Sequence, residues 1–291
     1  MLLAGCGGRP GGRDGKPVIM VTIEPQRYFA QAIAGEKFDV VSMVPRGSSP
    51  ETYDPVPRQL VELSESKAYL RIGYIGFEQT WMDRLLKSAP HLPVFDTSEG
   101  IDLIEEEGTH AHSPADTTIH AHAVEPHVWT SPVNALLIAS NTCRALCQLD
   151  KGNEAYFLLR YDSLCRRIQR LDSVICRRLS TPGASKSFLV YHPTLTYFAR
   201  DYGLRQVPIE EDGKEPSPAY LKQVIDLCRA ERIRTIFVQP EFDTRNAETI
   251  ARQTGTAVTP INPLSYDWER EMLRVADALL ILPSSCDHLS K

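Results

Sequence analysis

The 291-residue chain contains no run of about 18 apolar residues, so no helix is expected to span a membrane. It also has no basic excess: 32 Lys and Arg stand against 37 Asp and Glu, a formal charge of −5, which excludes the electrostatic footprint of a nucleic-acid binder. None of the seven cysteines forms a Cys-x-x-Cys pair, which excludes a zinc knuckle. Catalytic signatures are scarce: the chain has no phosphate-binding G-x-x-x-x-G-K-[ST], no G-x-S-x-G elbow, no H-E-x-x-H and no G-x-G-x-x-G. The two glycines of "GYIGFE" (73–78) are better read as a tight turn than as a phosphate loop. With 42% hydrophobic and 24% charged residues, the composition is that of a globular protein long enough for two domains.

What the chain does have is an alternation of short apolar runs with longer segments of helical spacing, the pattern of α/β layers with parallel sheets. "PVIMVTI", "FDVVSMV", "AYLRIG" and "PVFDTS" are the expected strands of a first half. "FLVYH", "RQVPI", "RTIFVQ" and "AVTPI" are those of a second. Between the halves, residues 153–179 run 27 positions without Gly or Pro, with apolar residues three and four apart and Arg gathered toward the end. That is about 40 Å of helix at 1.5 Å per residue. The expected fold is therefore α/β with two lobes, each a mostly parallel sheet flanked by helices, joined by one long rigid helix. The expected divisions are a tether (1–16), an N-terminal lobe (17–151), a connecting helix (152–180) and a C-terminal lobe (181–291). Cys143 and Cys147 stand one turn apart in an apolar helix and read as small buried hydrophobes, with disulfides possible and their connectivity open.

Histidine is unevenly spent. Five of the eight fall within "THAHSPADTTIHAHAVEPHVW" (109–129), a stretch that begins in a long loop at 99–124, first acidic and then His-rich, and ends beyond it. His110, His112, His120 and His122 form two His-x-His pairs, suited to weak, exchangeable metal collection. His127 sits alone ahead of a Ser-Pro helix start. His192 directly follows the strand "FLVY" and Asn262 follows "AVTPI", while Glu51 lies in the loop after the second strand. In open α/β sheets, ligands gather at the carboxyl ends of strands. Two imidazoles, a carboxylate and an amide oxygen could hold a divalent metal, although spacing alone does not show it.

On these residues the chain resembles the cluster A-I solute-binding lipoproteins of ABC transporters, the zinc and manganese periplasmic binding proteins. The motifs are "PETYDP" (50–55), "IGFEQTW" (75–81), "EPHVWTSP" (125–132), "YHPTLTYFARDYGL" (191–204), "EPSP" (215–218), "FVQPEF" (237–242) and "INPLSYDW" (261–268). These seven blocks come in the family's order. The resemblance implies two α/β lobes joined by a rigid helix, and a metal in the interlobe cleft held by Glu51, His127, His192 and Asn262 or a water. It implies delivery to the transmembrane subunit of an ABC permease, with no catalysis and no nucleic acid. Zinc is the expected cargo, with manganese or iron as alternatives, because Glu51 stands where the family has its first His and Asn262 stands near a frequent Asp. "LAGC" at 3–6, followed by a Gly-rich stretch, looks like a lipoprotein cleavage site, so Cys6 would carry lipid and anchor a monomer outside the cytoplasmic membrane. Two readings of other classes are a His₂-carboxylate metalloenzyme, whose usual His-x-Asp/Glu strand motif is not visible here, and a surface adhesin.

Overall fold

A computed structural model of the chain describes residues 15–105, 124–211 and 213–280. Cys6, His110, His112, His120 and His122 lie outside the described residues.

The chain divides into two compact units. The first comprises the chain up to Pro126 together with Leu136–Arg166, and the second comprises His127–Ala135 together with the chain from Arg167 onward. In the first unit, β1 (Val18–Val21), β2 (Asp39–Ser42), β3 (Ala68–Arg71) and β4 (Val94–Asp96) form a parallel sheet in the order β2-β1-β3-β4. The intervening helices are α1 (Glu24–Ala34), α2 (Pro57–Ser64) and α3 (Gly76–Ser88). Ile19, Met20 and Val21 of β1 are buried on both faces of the strand, as a central parallel strand covered by helices must be. Gly35 ends α1 at φ 56°, a backbone state that costs a residue without Cβ little.

The second sheet repeats the arrangement. There β5 (Ser187–Val190), β6 (Arg205–Pro208), β7 (Thr235–Val238) and β8 (Ala257–Pro260) run parallel in the order β6-β5-β7-β8. Its helices are α6 (Thr196–Tyr202), α7 (Pro218–Ala230), α8 (Arg245–Thr254) and α9 (Trp268–Ala278). Leu189, Ile236 and Val238 pack with Val224, Ile225, Ala247 and Ile250 into one apolar core.

Two helices contribute residues to both units: α4 (Pro132–Leu149) and α5 (Glu154–Leu179). Ser131 accepts the Asn134 N–H through Oγ at 3.0 Å and Pro132 opens α4, the start expected from "SPVN". The 26-residue α5 is unbroken and buries Phe157, Leu164, Ile168, Leu171, Ile175 and Leu179, a stripe spaced by sevens, fours and threes. Glu154 sits in its first turn and Arg177 and Arg178 in its last, matching the helix dipole. The fold class is thus as expected, with strands of three or four residues because the chain leaves each ladder to enter the next turn. Cys143, Cys147, Cys165, Cys176 and Cys228 are free thiols. Burial, with smaller contributions from the neighbouring thiols, pushes Cys143 up to about 12, as suits an inert apolar side chain.

Candidate metal centre

In the second unit the site begins where β5 runs out. The Tyr191 N–H still donates to the Phe237 carbonyl, and the next residue, His192, leaves the ladder. Gln239, buried just past β7, clamps that position from both sides: its Nε2 donates to the His192 carbonyl at 2.6 Å and its Oε1 accepts the His192 N–H at 3.4 Å. Phe242 stacks on Tyr191 and on His192, with centroids 5.2 and 5.3 Å away and planes 28° apart in both cases. The ring is therefore held at its backbone and on one face.

Its nitrogens differ. Nδ1 lies 2.7 Å from Oε1 of the buried Glu210, while Nε2 is buried with no hydrogen-bond partner. A carboxylate on Nδ1 selects the tautomer with the proton there and leaves the Nε2 lone pair exposed to a ligand, the usual arrangement behind a metal-bound imidazole. Glu241 stands nearby, and burial raises its carboxyl above the ordinary range against a backbone hydrogen bond that lowers it.

His127, 5% exposed, precedes a single 3-10 turn at Val128–Thr130. Its carbonyl accepts the N–H of Thr130 at 3.2 Å and its hydroxyl at 2.9 Å. The imidazole lies edge-on to Trp129 and to His192, each with a centroid separation of 5.2 Å. Two fully buried tryptophans fix the turn. Trp129 Nε1 donates to the Pro263 carbonyl at 2.9 Å, and Trp268 Nε1 donates to the Trp129 carbonyl at 2.7 Å. Asn262 belongs to the loop that receives Trp129. Its N–H donates to Glu271 Oε1 at 2.7 Å and its Oδ1 accepts the Leu264 N–H at 3.0 Å, so the amide oxygen already has one partner.

Glu51 is in the first unit, in the loop between β2 and α2. Its N–H donates to Ser49 Oγ, and its Oε2 accepts the N–H of Gly76, the first residue of α3, at 3.2 Å. The Phe77 N–H donates to the Pro50 carbonyl at 2.8 Å, and Trp81 Nε1 to Asp54 Oδ1 at 3.0 Å. The block "IGFEQTW" is thus the platform on which "PETYDP" rests. Oε1 of Glu51 is buried and has no partner.

Among the described residues, Glu51 Oε1 and His192 Nε2 are buried side-chain acceptors with no hydrogen-bond partner. Buried acceptors are seldom left unmatched, so both fit a cation as the missing partner. The structure pairs His127 with His192, but among the described residues no three His, Cys, Asp or Glu side chains are grouped closely enough to enclose a metal. Sequence reasoning missed the roles of Glu210, Gln239 and Gly76. Glu210 does follow the strand "RQVPI", a signal that its neighbour Glu211 shares.

The family model for the zinc-uptake complex component A, periplasmic, matches residues 19–277. The high-affinity zinc uptake system protein ZnuA of Bacillus subtilis is 27% identical over 274 residues, 91% of this chain and 85% of that protein. The zinc-binding lipoprotein AdcA of Streptococcus pneumoniae is 27% identical over 259 residues, and there the match spans 86% of this chain but half of the relative. A crystal structure of ZnuA superposes with a TM-score of 0.81 at 34% identity, covering 90% of this chain and 96% of that one. The manganese complex of FpvC from Pseudomonas aeruginosa has the same fold, with a TM-score of 0.76, 24% identity and coverage of 91% and 97%. This chain belongs to the family of periplasmic zinc-uptake components, the metal-binding subunits of ABC transporters.

Proposed function

We propose that this protein captures a divalent transition metal, zinc in the first place, outside the cytoplasmic membrane and hands it to an ABC permease. The observation that carries the reading is His192, whose Nδ1 is held by Glu210 while its buried Nε2 has no partner. His127 is the second imidazole, and Glu51, through Oε1, is the carboxylate. The fourth position goes to water or to the remaining lone pair of Asn262 Oδ1. One carboxylate and two neutral imidazoles leave the loaded centre at net +1, and zinc accepts such a His₂Glu set readily. Manganese and ferrous iron are the alternative cargoes, because a carboxylate in place of an imidazole hardens the donor set.

Cys6 is proposed as the lipid attachment point, and His110, His112, His120 and His122 as an auxiliary collecting segment. Among the described residues no helix is long and apolar enough to cross a membrane, which agrees with attachment by lipid.

The test is competitive zinc and manganese titration of the metal-stripped protein with residues 109–124 deleted, beside the same protein carrying Glu51→Ala. The expected result is tight one-to-one zinc binding that weakens when Glu51 is lost. Tight manganese or iron binding with weak zinc reassigns the cargo, and the absence of any tight metal site overturns the reading.

A further inference from the structure

Glu51 reaches its position through an unusual neighbour. A Cβ on Gly76 would stand 2.5 Å from Glu51 Oε2, 3.0 Å from its carbonyl oxygen and 3.1 Å from its Cα. Its φ lies outside the left-handed range, unlike that of Gly73 at 102°, so space, not conformational freedom, demands glycine at 76. The missing side chain lets the first N–H of α3, which has no partner within the helix, come within hydrogen-bond distance of the Glu51 carboxylate. The carboxylate lies at the positive end of the dipole of this 13-residue helix. The two oxygens are thereby made unequal: Oε2 is engaged by Gly76, and Oε1 is buried without a partner.

We propose that Gly76 is a specificity-determining position that makes Glu51 a one-oxygen donor and so biases the site toward zinc over manganese. The inference rests on the reading of Glu51 as a ligand. On that reading, with Oε2 held by the α3 backbone, Glu51 gives the metal one oxygen through Oε1, which suits the four-coordinate shell that zinc prefers. Manganese favours an oxygen-rich, six-coordinate shell, and the most direct way to add an oxygen is to bind Glu51 through both. That mode requires Oε2 to give up the Gly76 N–H. The glycine opposes it without touching the metal.

The experiment compares the wild-type protein with Gly76→Ala and Glu51→Ala, all lacking residues 109–124. It uses zinc and manganese competition titrations and zinc K-edge X-ray absorption. The wild type is expected to show four donors with a single carboxylate oxygen. Gly76→Ala is expected to lose zinc affinity by roughly 10–100-fold, the usual range for groups that orient a ligand, with manganese affected less, so that the preference narrows. A Glu51-dependent site whose zinc preference is unchanged in Gly76→Ala overturns this inference alone, and so does a wild-type absorption spectrum with both oxygens on zinc. Unchanged affinity in Glu51→Ala overturns the ligand reading and this inference together. If Gly76→Ala fails to fold, as its melting curve will show, the wild-type absorption spectrum decides.

Discussion

In both units the chain leaves a central strand and reaches a polar residue set against a buried glutamate, and the two pairs are completed in opposite ways. Thr22 follows β1, and its hydroxyl donates to Glu78 and shares a 2.8 Å hydrogen bond with Tyr69. Glu78 also accepts the N–H groups of Ile72 and Gly73, so both of its oxygens are used. β5 is followed by His192, which meets Glu210 through Nδ1 and leaves Nε2 open. A hydroxyl brings its one oxygen to the carboxylate and closes the network. An imidazole has a second nitrogen on the far side of the ring, so the carboxylate that orients it cannot also occupy it. One strand order therefore yields a sealed anchor in one unit and a ligand in the other.

The contrast can be broken most strongly at the open end. Removing the imidazole with His192→Ala should weaken zinc by roughly 100-fold or more, since structural zinc sites gain about 10–16 kcal/mol from four donors. Isothermal titration calorimetry measures this, and an affinity within a few-fold of wild type would remove His192 from the donor set. Replacing its orienting partner with Glu210→Gln should cost roughly 10–100-fold in zinc affinity, by releasing the tautomer and ring angle. The corresponding change in the sealed pair, Glu78→Gln, should leave zinc affinity within a few-fold, and comparing the two titrations sharpens the distinction between ligand support and structural anchor.

Trp268→Phe tests the turn that carries His127. It leaves the buried Trp129 carbonyl without its donor, at a cost of about 1–3 kcal/mol, visible as a lower melting temperature.

The smallest expected effect separates the two carboxylate networks by pH. Burial, opposed by hydrogen bonds from Thr22, Ile72 and Gly73, pushes Glu78 up to about 7 from an ordinary 4.5. The folded state then holds its proton more tightly than the unfolded state does. The stabilisation from Glu78 is fully present below pH 4.5 and is lost as pH rises through about 7. Metal binding runs the other way, because protons compete with zinc for the imidazole lone pairs and affinity falls in acid. The melting temperature of metal-free wild type should decline between pH 5 and 8 by a few degrees more than that of Glu78→Gln, and equal declines would show that the buried carboxyl does not titrate in this range.

Element order and most of the local punctuation can be read from the amino-acid sequence alone. Apolar runs named the eight strands, apolar residues three and four apart named α5, and the Ser131-Pro132 pair marked a helix start. These signals are local because periodicity and capping depend on residues within a few positions of one another. The strand-end rule pointed to His192, and motif resemblance pointed to His127 and Glu51. Which groups meet them depends on long-range packing. Glu210 lies 18 residues from His192, Gln239 lies 47 from it, and Gly76 lies 25 from Glu51. No sequence period encodes those separations. They follow from the parallel pairing of β5 with β6 and β7 and from the approach of α3 to the loop after β2, which long-range packing alone establishes.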